Sequence, residues 1–210
     1  MAQIQSGADT TLLTVDPTFN AARVSIRPPE VTGAYRISQR TGTIAAATAA
    51  GVLAAFRYAG TGVAVVNTVR VGLNVLSAYT AGSVILSVWA ARSYTVTETT
   101  NYTAATLTGN NAKLRTSHST CSALFGVATT TGITGGTRTE DTQALGSVTF
   151  NLPATITGQI MQDFFTFNMQ SFPLICGQNE GFVIRNDTAF AATGTSNLVV
   201  QVEWFEATAY

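Results

Sequence analysis

The residues that could do chemistry are few in this chain, and they do not form a catalytic pattern. His118 is the only histidine, so a Ser-His-Asp triad would have to use it, and no serine lies in a Gly-x-Ser-x-Gly turn. His118 and Cys121 have the spacing of metal ligands. Together with Cys176 they make only three His and Cys residues, whereas a structural zinc site takes four ligands. We therefore predict no catalytic, metal-binding or cofactor-binding residues.

The carboxylates are not arranged for acid–base catalysis either. Glu140 and Asp141 are adjacent, and a strand would point them to opposite faces, whereas a glycosidase needs two carboxyls that face each other across one cleft. We interpret this pair as a solvated turn. Glu203 and Glu206 lie near the end of the last predicted strand, where we expect them to keep an exposed strand end soluble.

Aromatic side chains could instead form a platform for a sugar. We expect core packing to account for most of them, with Phe205 the most exposed. The aromatic residues in question are Trp89, Phe164, Phe165, Phe167, Trp204 and Phe205.

The clearest structural pattern is an alternation of apolar and polar residues near the end of the chain. A period of two over this length is typical of a half-buried strand. An earlier run, residues 181–187, is also strand-like, and a loop rich in Ala, Thr and Gly joins the two, so we predict a closing hairpin. The predicted inner face consists of Leu198, Val200, Val202 and Trp204, and the outer face of Val199, Gln201, Glu203 and Phe205.

Similar patterns recur along the chain. The strongest strand is predicted at 63–76, with Val65 on the same face as the valines at 69, 71 and 75, an interruption at Asn67 and a bulge or bend at Gly72. A strand at 83–94 is apolar on both faces and should be central. Further strands are predicted at 34–39, 52–58, 105–107, 122–128 and 147–152, with 42–51 as strand or loop and 159–168 as strand or short helix.

This spacing predicts an all-β protein, an antiparallel jelly roll or β-sandwich of roughly eight to ten strands. We expect residues 33–210 to form a single domain. Residues 1–32 show little periodicity and contain Pro17, Pro28 and Pro29, so we interpret them as an extended N-terminal arm. Fully extended, this arm would reach on the order of 100 Å. A disordered tail is the alternative interpretation.

The charge composition indicates that part of the surface is covered. Only 10% of the residues are charged, against about 25% in typical soluble domains. The eleven basic and eleven acidic residues cancel, and Lys113 is the only lysine. A free monomer usually keeps its net charge away from zero. We therefore predict a homo-oligomer, with a trimer as the preferred state.

Other classes of partner are disfavoured. The chain has no strongly basic region, so we expect no direct binding of nucleic acid. No apolar run reaches about 18 residues, and the first residues lack the pattern of a secretory signal. We therefore expect a protein outside the membrane, made in a reducing cytoplasm. In that setting Cys121 and Cys176 are interpreted as small buried hydrophobic residues, with a disulfide as the open alternative.

Four segments, at 16–29, 107–116, 178–186 and 202–206, resemble a family of small structural proteins encoded by tailed bacteriophages. The resemblance implies a virion component, best a capsid decoration (cement) protein of jelly-roll type. Such a protein would be made in the bacterial host cytoplasm and would lie on the outer capsid surface. There it would brace neighbouring major capsid protein subunits, often as a trimer.

Two other virion roles remain as alternatives. A receptor-binding module at the tip of a tail fibre would recognise a host surface glycan and would need exposed aromatic residues within 95–146. The major capsid protein itself would need a long spine helix, and the sequence shows no long amphipathic pattern. An enzyme is the least favoured class. The number of copies per particle would separate a decoration protein, present in hundreds, from a fibre tip, present in a few.

Overall fold

A computed structural model describes residues 15–16, 21–22, 31–45, 48, 51–156, 161–166 and 172–209. These residues form β-strands joined by turns and loops and contain no helix. The strands are β1 (Val15–Asp16), β2 (Ala21–Ala22), β3 (Val31–Arg40), β4 (Ile44–Ala45), β5 (Gly51–Tyr58), β6 (Val63–Ser77), β7 (Gly82–Val96), β8 (Tyr102–Ala104), β9 (Ala123–Ala128), β10 (Thr137–Glu140), β11 (Gly146–Leu152), β12 (Gln162–Thr166), β13 (Leu174–Cys176), β14 (Glu180–Asn186) and β15 (Thr195–Ala207).

The strands pair from the two ends of the domain inwards. β3 pairs with β15, β5 with β14, β6 with β12 and β13, and β7 with β10 and β11, all antiparallel. β15 also pairs with β6, and β14 with β7, so these pairs alternate between two sheets. The first sheet therefore runs β3-β15-β6-β12 and the second β5-β14-β7-β10, with β9 and β8 added beside β5. This is the jelly-roll arrangement, and the predicted fold class is confirmed.

Aromatic side chains join the two sheets at the centre of the sandwich. Trp204 of the first sheet is fully buried and stacks on Tyr35 with 5.3 Å between ring centroids. Its edge meets Phe56 of the second sheet at 5.4 Å, and Phe56 stacks on Phe182 at 5.1 Å. Aromatic residues bury large areas per side chain, so this group contributes strongly to the contact between the sheets.

The predicted faces of the last strand are confirmed. Val200, Val202 and Trp204 are fully buried in β15. Glu203 lies on the opposite face, where Arg36 of the neighbouring strand donates to it at 2.6 Å. The strand at 83–94 is also central as predicted, since β7 lies between β14 and the β10–β11 edge.

The predicted closing hairpin is wrong. β14 pairs with β5 and β7 in the second sheet, whereas β15 pairs with β3 and β6 in the first. The connection at 187–194 therefore crosses from one sheet to the other. A period of two reports which face of a strand is buried and contains no information on which strand lies beside it.

Three local predictions also change. The register of β6 shifts at Asn67, so Val66 rather than Val65 joins the core cluster, whereas Gly72 lies in regular pairing and forms no bulge. The strand predicted at 105–107 is found a few residues earlier, as β8 at Tyr102–Ala104. The ambiguous segment 159–168 contains a strand, β12, where the structure describes it.

The predicted N-terminal arm lies mostly outside the described residues. Within it, β1 and β2 pair with each other as a separate two-stranded sheet. β3 begins at Val31, two residues before the predicted domain boundary.

Candidate functional site

The three residues considered above as nucleophiles or metal ligands are His118, Cys121 and Cys176. His118 supports the edge of β3, with its Nδ1 3.1 Å from the amide nitrogen of Ala34. Both cysteines are free thiols. Burial raises the pKa of Cys121 to about 11 and that of Cys176 to about 12, so both stay protonated at neutral pH. Among the described residues, no three His, Cys, Asp or Glu side chains are grouped so as to hold a metal ion.

Glu140 and Asp141 do not form the solvated turn that the sequence predicts. Glu140 ends β10, where it accepts hydrogen bonds from Arg138 and from Arg185 at 2.9 Å each. Asp141 pairs separately with Arg92 at 3.4 Å. Each carboxylate thus has its own arginine, so the two do not act as a pair.

A buried ion pair lies at the start of this network. The side chain of Glu98 is completely buried, and Arg138 donates to it at 2.5 Å. The hydroxyl of Tyr94 also donates to Glu98, and the Arg138 guanidinium lies 5.7 Å from the centroid of the Tyr94 ring. Since a buried carboxylate is stable only when it is paired and hydrogen-bonded, these contacts hold the segment after β7 against the second sheet.

The network continues across the outer face of the second sheet. Arg185 bridges Glu140 and Asp187, and its guanidinium lies 4.9 Å from the centroid of the Trp89 ring. Asp187 in turn accepts a hydrogen bond from the buried hydroxyl of Ser87. Charges alternate along this chain of contacts, which joins β7, β10 and β14.

Glu206 is the main site residue that the sequence interpretation placed wrongly. It was expected at an exposed strand end, but it is only 3% exposed. Its carboxylate accepts hydrogen bonds from the amides of Ser122 and Ala123 at 2.9 to 3.0 Å and from Nε1 of Trp204 at 3.3 Å. The signal was available, because a period of two that buries Trp204 also places Glu206 on the inner face.

A cavity of about 260 Å³ at one end of the sandwich is lined in part by Glu206. Its walls come from the start of β3, the turn after β5, the loop before β9 and the end of β15. Hydroxyl groups dominate this lining, which includes Thr32, Tyr58, Thr61 and Thr120. Desolvation by burial raises the pKa of Glu206, and hydrogen bonds from Ser122, Trp204 and Ala123 oppose that rise. Burial and the nearby Glu206 charge also raise the pKa of Tyr58.

The aromatic residues do not form an exposed sugar platform in the described part of the chain. Trp204 and Phe164 are buried, and Phe205 is half-buried rather than the exposed residue that we expected. Trp89 is half-buried beneath Arg185. Phe167 and the side chain of Phe165 lie outside the described residues.

Apolar side chains are exposed along one edge of the sandwich, the edge made by β11 of the second sheet and by β12 and β13 of the first. Four of the eight large hydrophobic side chains exposed among the described residues lie in or next to these strands. They are Leu145 (46% exposed), Ile156 (67%), Phe172 (99%) and Ile175 (37%), and we refer to them as the apolar edge. Apolar side chains exposed along a sheet edge leave that edge available for contact with another chain.

No family model, curated protein or solved structure matches this chain significantly. The described residues include no helix long and apolar enough to cross a membrane.

Proposed function

We propose that this chain is a non-enzymatic structural protein of a tailed-bacteriophage virion, a decoration protein that braces neighbouring major capsid subunits from the outer surface. The proposal starts from the phage resemblance of the four sequence segments. The apolar edge is the structural observation that carries it, because it supplies an uncovered surface suited to contact between subunits.

Charge and fold support the same role. A chain with one lysine and no net charge has little of the surface chemistry that keeps a free monomer soluble. The jelly roll is used by viral capsid domains and also by lectins, so the fold agrees with the proposal without selecting it.

The glycan-binding alternative draws no specific support from the described surface. It needs exposed aromatic residues within 95–146, and that range contains two aromatic residues, Tyr102 and the buried Phe125. Tyr102 is half-buried and covers Gly126, since a Cβ at Gly126 would lie 2.4 Å from its ring.

The first test is the oligomeric state of the purified protein. We expect multi-angle light scattering to give three times the 22.0 kDa chain mass, because association would cover the apolar edge. Phe172→Ser should weaken the trimer, whereas Leu114→Ser, at a 50% exposed site away from that edge, should not. A single species of 22.0 kDa at micromolar concentration would refute self-association of the free protein.

The second test concerns the N-terminal segment. Deleting residues 1–30 should leave a folded β domain, because β1 and β2 pair with no strand of either large sheet. We expect the shortened protein to lose attachment to capsids that lack the decoration protein, as measured by co-sedimentation. The circular dichroism spectrum is the control for folding. Attachment equal to that of the full chain would show that the segment has no role in gripping the shell.

A further inference from the structure

The negative charge of Glu206 has no positive partner in the described part of the chain. None of the ion pairs between described residues includes it, although its side chain is almost completely buried. This differs from Glu98, also a buried acid, which is paired with Arg138. Burying a charge is costly unless a counter-charge or a full set of hydrogen bonds compensates it.

The hydrogen bonds of Glu206 all come from uncharged donors. The carboxylate accepts from the amides of Ser122 and Ala123 and from Nε1 of Trp204, so its negative charge is hydrogen-bonded but not neutralised. It lines the cavity at the end of the sandwich, together with hydroxyls that can accept hydrogen bonds. Among the described residues, no lysine or arginine lines it. A cavity with one anion and many acceptors is complementary to a group that is positively charged and rich in N–H donors.

We propose that this cavity binds an organic cation, an alkylguanidinium or alkylammonium group, with Glu206 as its anionic partner and the hydroxyls of Thr61 and Thr120 as further acceptors. A divalent metal ion fits less well, because such ions take six or more oxygen ligands, usually with several carboxylates. An anion would be repelled by the Glu206 carboxylate, and a fatty chain would not match the polar hydroxyls of the lining. The cation can come from a side chain of a partner protein or from a free amine.

Binding is coupled to protonation. Burial raises the pKa of Glu206, and a bound cation would lower that pKa because it stabilises the carboxylate. Binding of the cation should therefore weaken as the pH falls. The other titratable groups facing Glu206 are Tyr35, Tyr58 and Cys121; their pKa values are raised, so they remain neutral at pH 7 and do not compete.

The test uses the full chain, with n-butylguanidinium as the probe and the uncharged n-butylurea as its matched control. We expect saturable binding of butylguanidinium in calorimetry, with shifts of the Ser122 and Ala123 amide resonances, and no response to butylurea. The affinity for butylguanidinium should fall as the pH is lowered and Glu206 becomes protonated. Equal responses to the two compounds, or no saturable response to butylguanidinium, would overturn the proposal.

Substitutions in the cavity test whether butylguanidinium binds there. Glu206→Gln should abolish it, but its amide would face the Ser122 and Ala123 N–H groups, and the protein could fail to fold. Thr61→Val and Thr120→Val avoid this problem and should each weaken binding about 2- to 10-fold, the range of one net hydrogen bond. Thr149→Val, at an exposed site on β11, is the control. Unchanged affinity in both cavity variants would also contradict the site.

A peptide with a central arginine separates the two sources of the cation. Tighter binding of the peptide than of butylguanidinium indicates a partner's side chain, whereas equal affinity indicates a free amine. This test does not depend on the proposed capsid role. The cation-binding proposal and the capsid proposal can therefore be refuted independently.

Discussion

Trp204→Ala is expected to lower the melting temperature by about 6–20 °C or to prevent folding. The indole is fully buried, stacks on Tyr35 and meets Phe56 across the sandwich. Replacing a buried tryptophan by alanine typically costs about 3–5 kcal/mol, a large share of the roughly 5–15 kcal/mol that stabilises a domain. Each kcal/mol corresponds to about 2–4 °C in a domain of this size. Thermal unfolding followed by circular dichroism measures the shift.

Glu203→Gln is the matched control on the adjacent position of the same strand. It removes the partner of Arg36 on the outer face, where both side chains are partly exposed. Pairs of this kind contribute little, so the change in unfolding free energy should stay below about 1 kcal/mol. If Glu203→Gln were the damaging substitution and Trp204→Ala were silent, the two faces of β15 would be exchanged.

Arg138→Met is expected to destabilise the protein by about 3–5 kcal/mol, because it leaves the buried Glu98 carboxylate without its counter-charge. The arginine is only 13% exposed, and it also contacts Glu140 and the ring of Tyr94. Methionine keeps much of the apolar stem, so the loss isolates the charge rather than the packing. Urea unfolding measures the change in free energy.

Two further variants test the reason for that loss. Arg92→Met removes an arginine of the same sheet that is 44% exposed and pairs with Asp141 and Glu180, and its cost should be below about 1 kcal/mol. The double variant Glu98→Gln/Arg138→Met should recover part of the stability lost in Arg138→Met, because it removes the unpaired charge. A double variant less stable than the single one would show that packing of the arginine dominates.

The sequence patterns predict the faces of the strands well and their neighbours poorly. The alternation in β15 correctly predicts that Val200, Val202 and Trp204 are buried, because solvent exposure follows a strand's period of two. The closing hairpin was wrong because nearby strands can be placed in different sheets, and that choice depends on packing of the whole domain. The bulge at Asn67 was missed because one extra residue resembles a simple break in the pattern.

The candidate site was less predictable than the fold. Glu206 follows the same alternation as Trp204, yet a charged residue is rarely expected in a core. Its burial depends on amides of Ser122 and Ala123, which are more than 80 positions away in the chain. The burial of Glu98 and its pairing could not be predicted from the local sequence. It lies in a threonine-rich stretch, and its partner Arg138 is 40 positions away. Long-range partners of this kind do not appear in a local pattern.

The pairing of strands from the two ends inwards also determines when the protein can fold. β15 is a central strand of its sheet, between β3 and β6, and it contacts β3 through Arg36 and Glu203, 167 positions apart. Forming a contact at such a separation loses loop-closure entropy before the contact stabilises the fold. Proteins dominated by such contacts therefore fold slowly. During synthesis, β3 and β6 must therefore wait with unpaired edges until β15 has left the ribosome. Chains that stall before residue 195 should consequently associate through these edges, so chaperone capture of nascent chains should end only after β15 emerges.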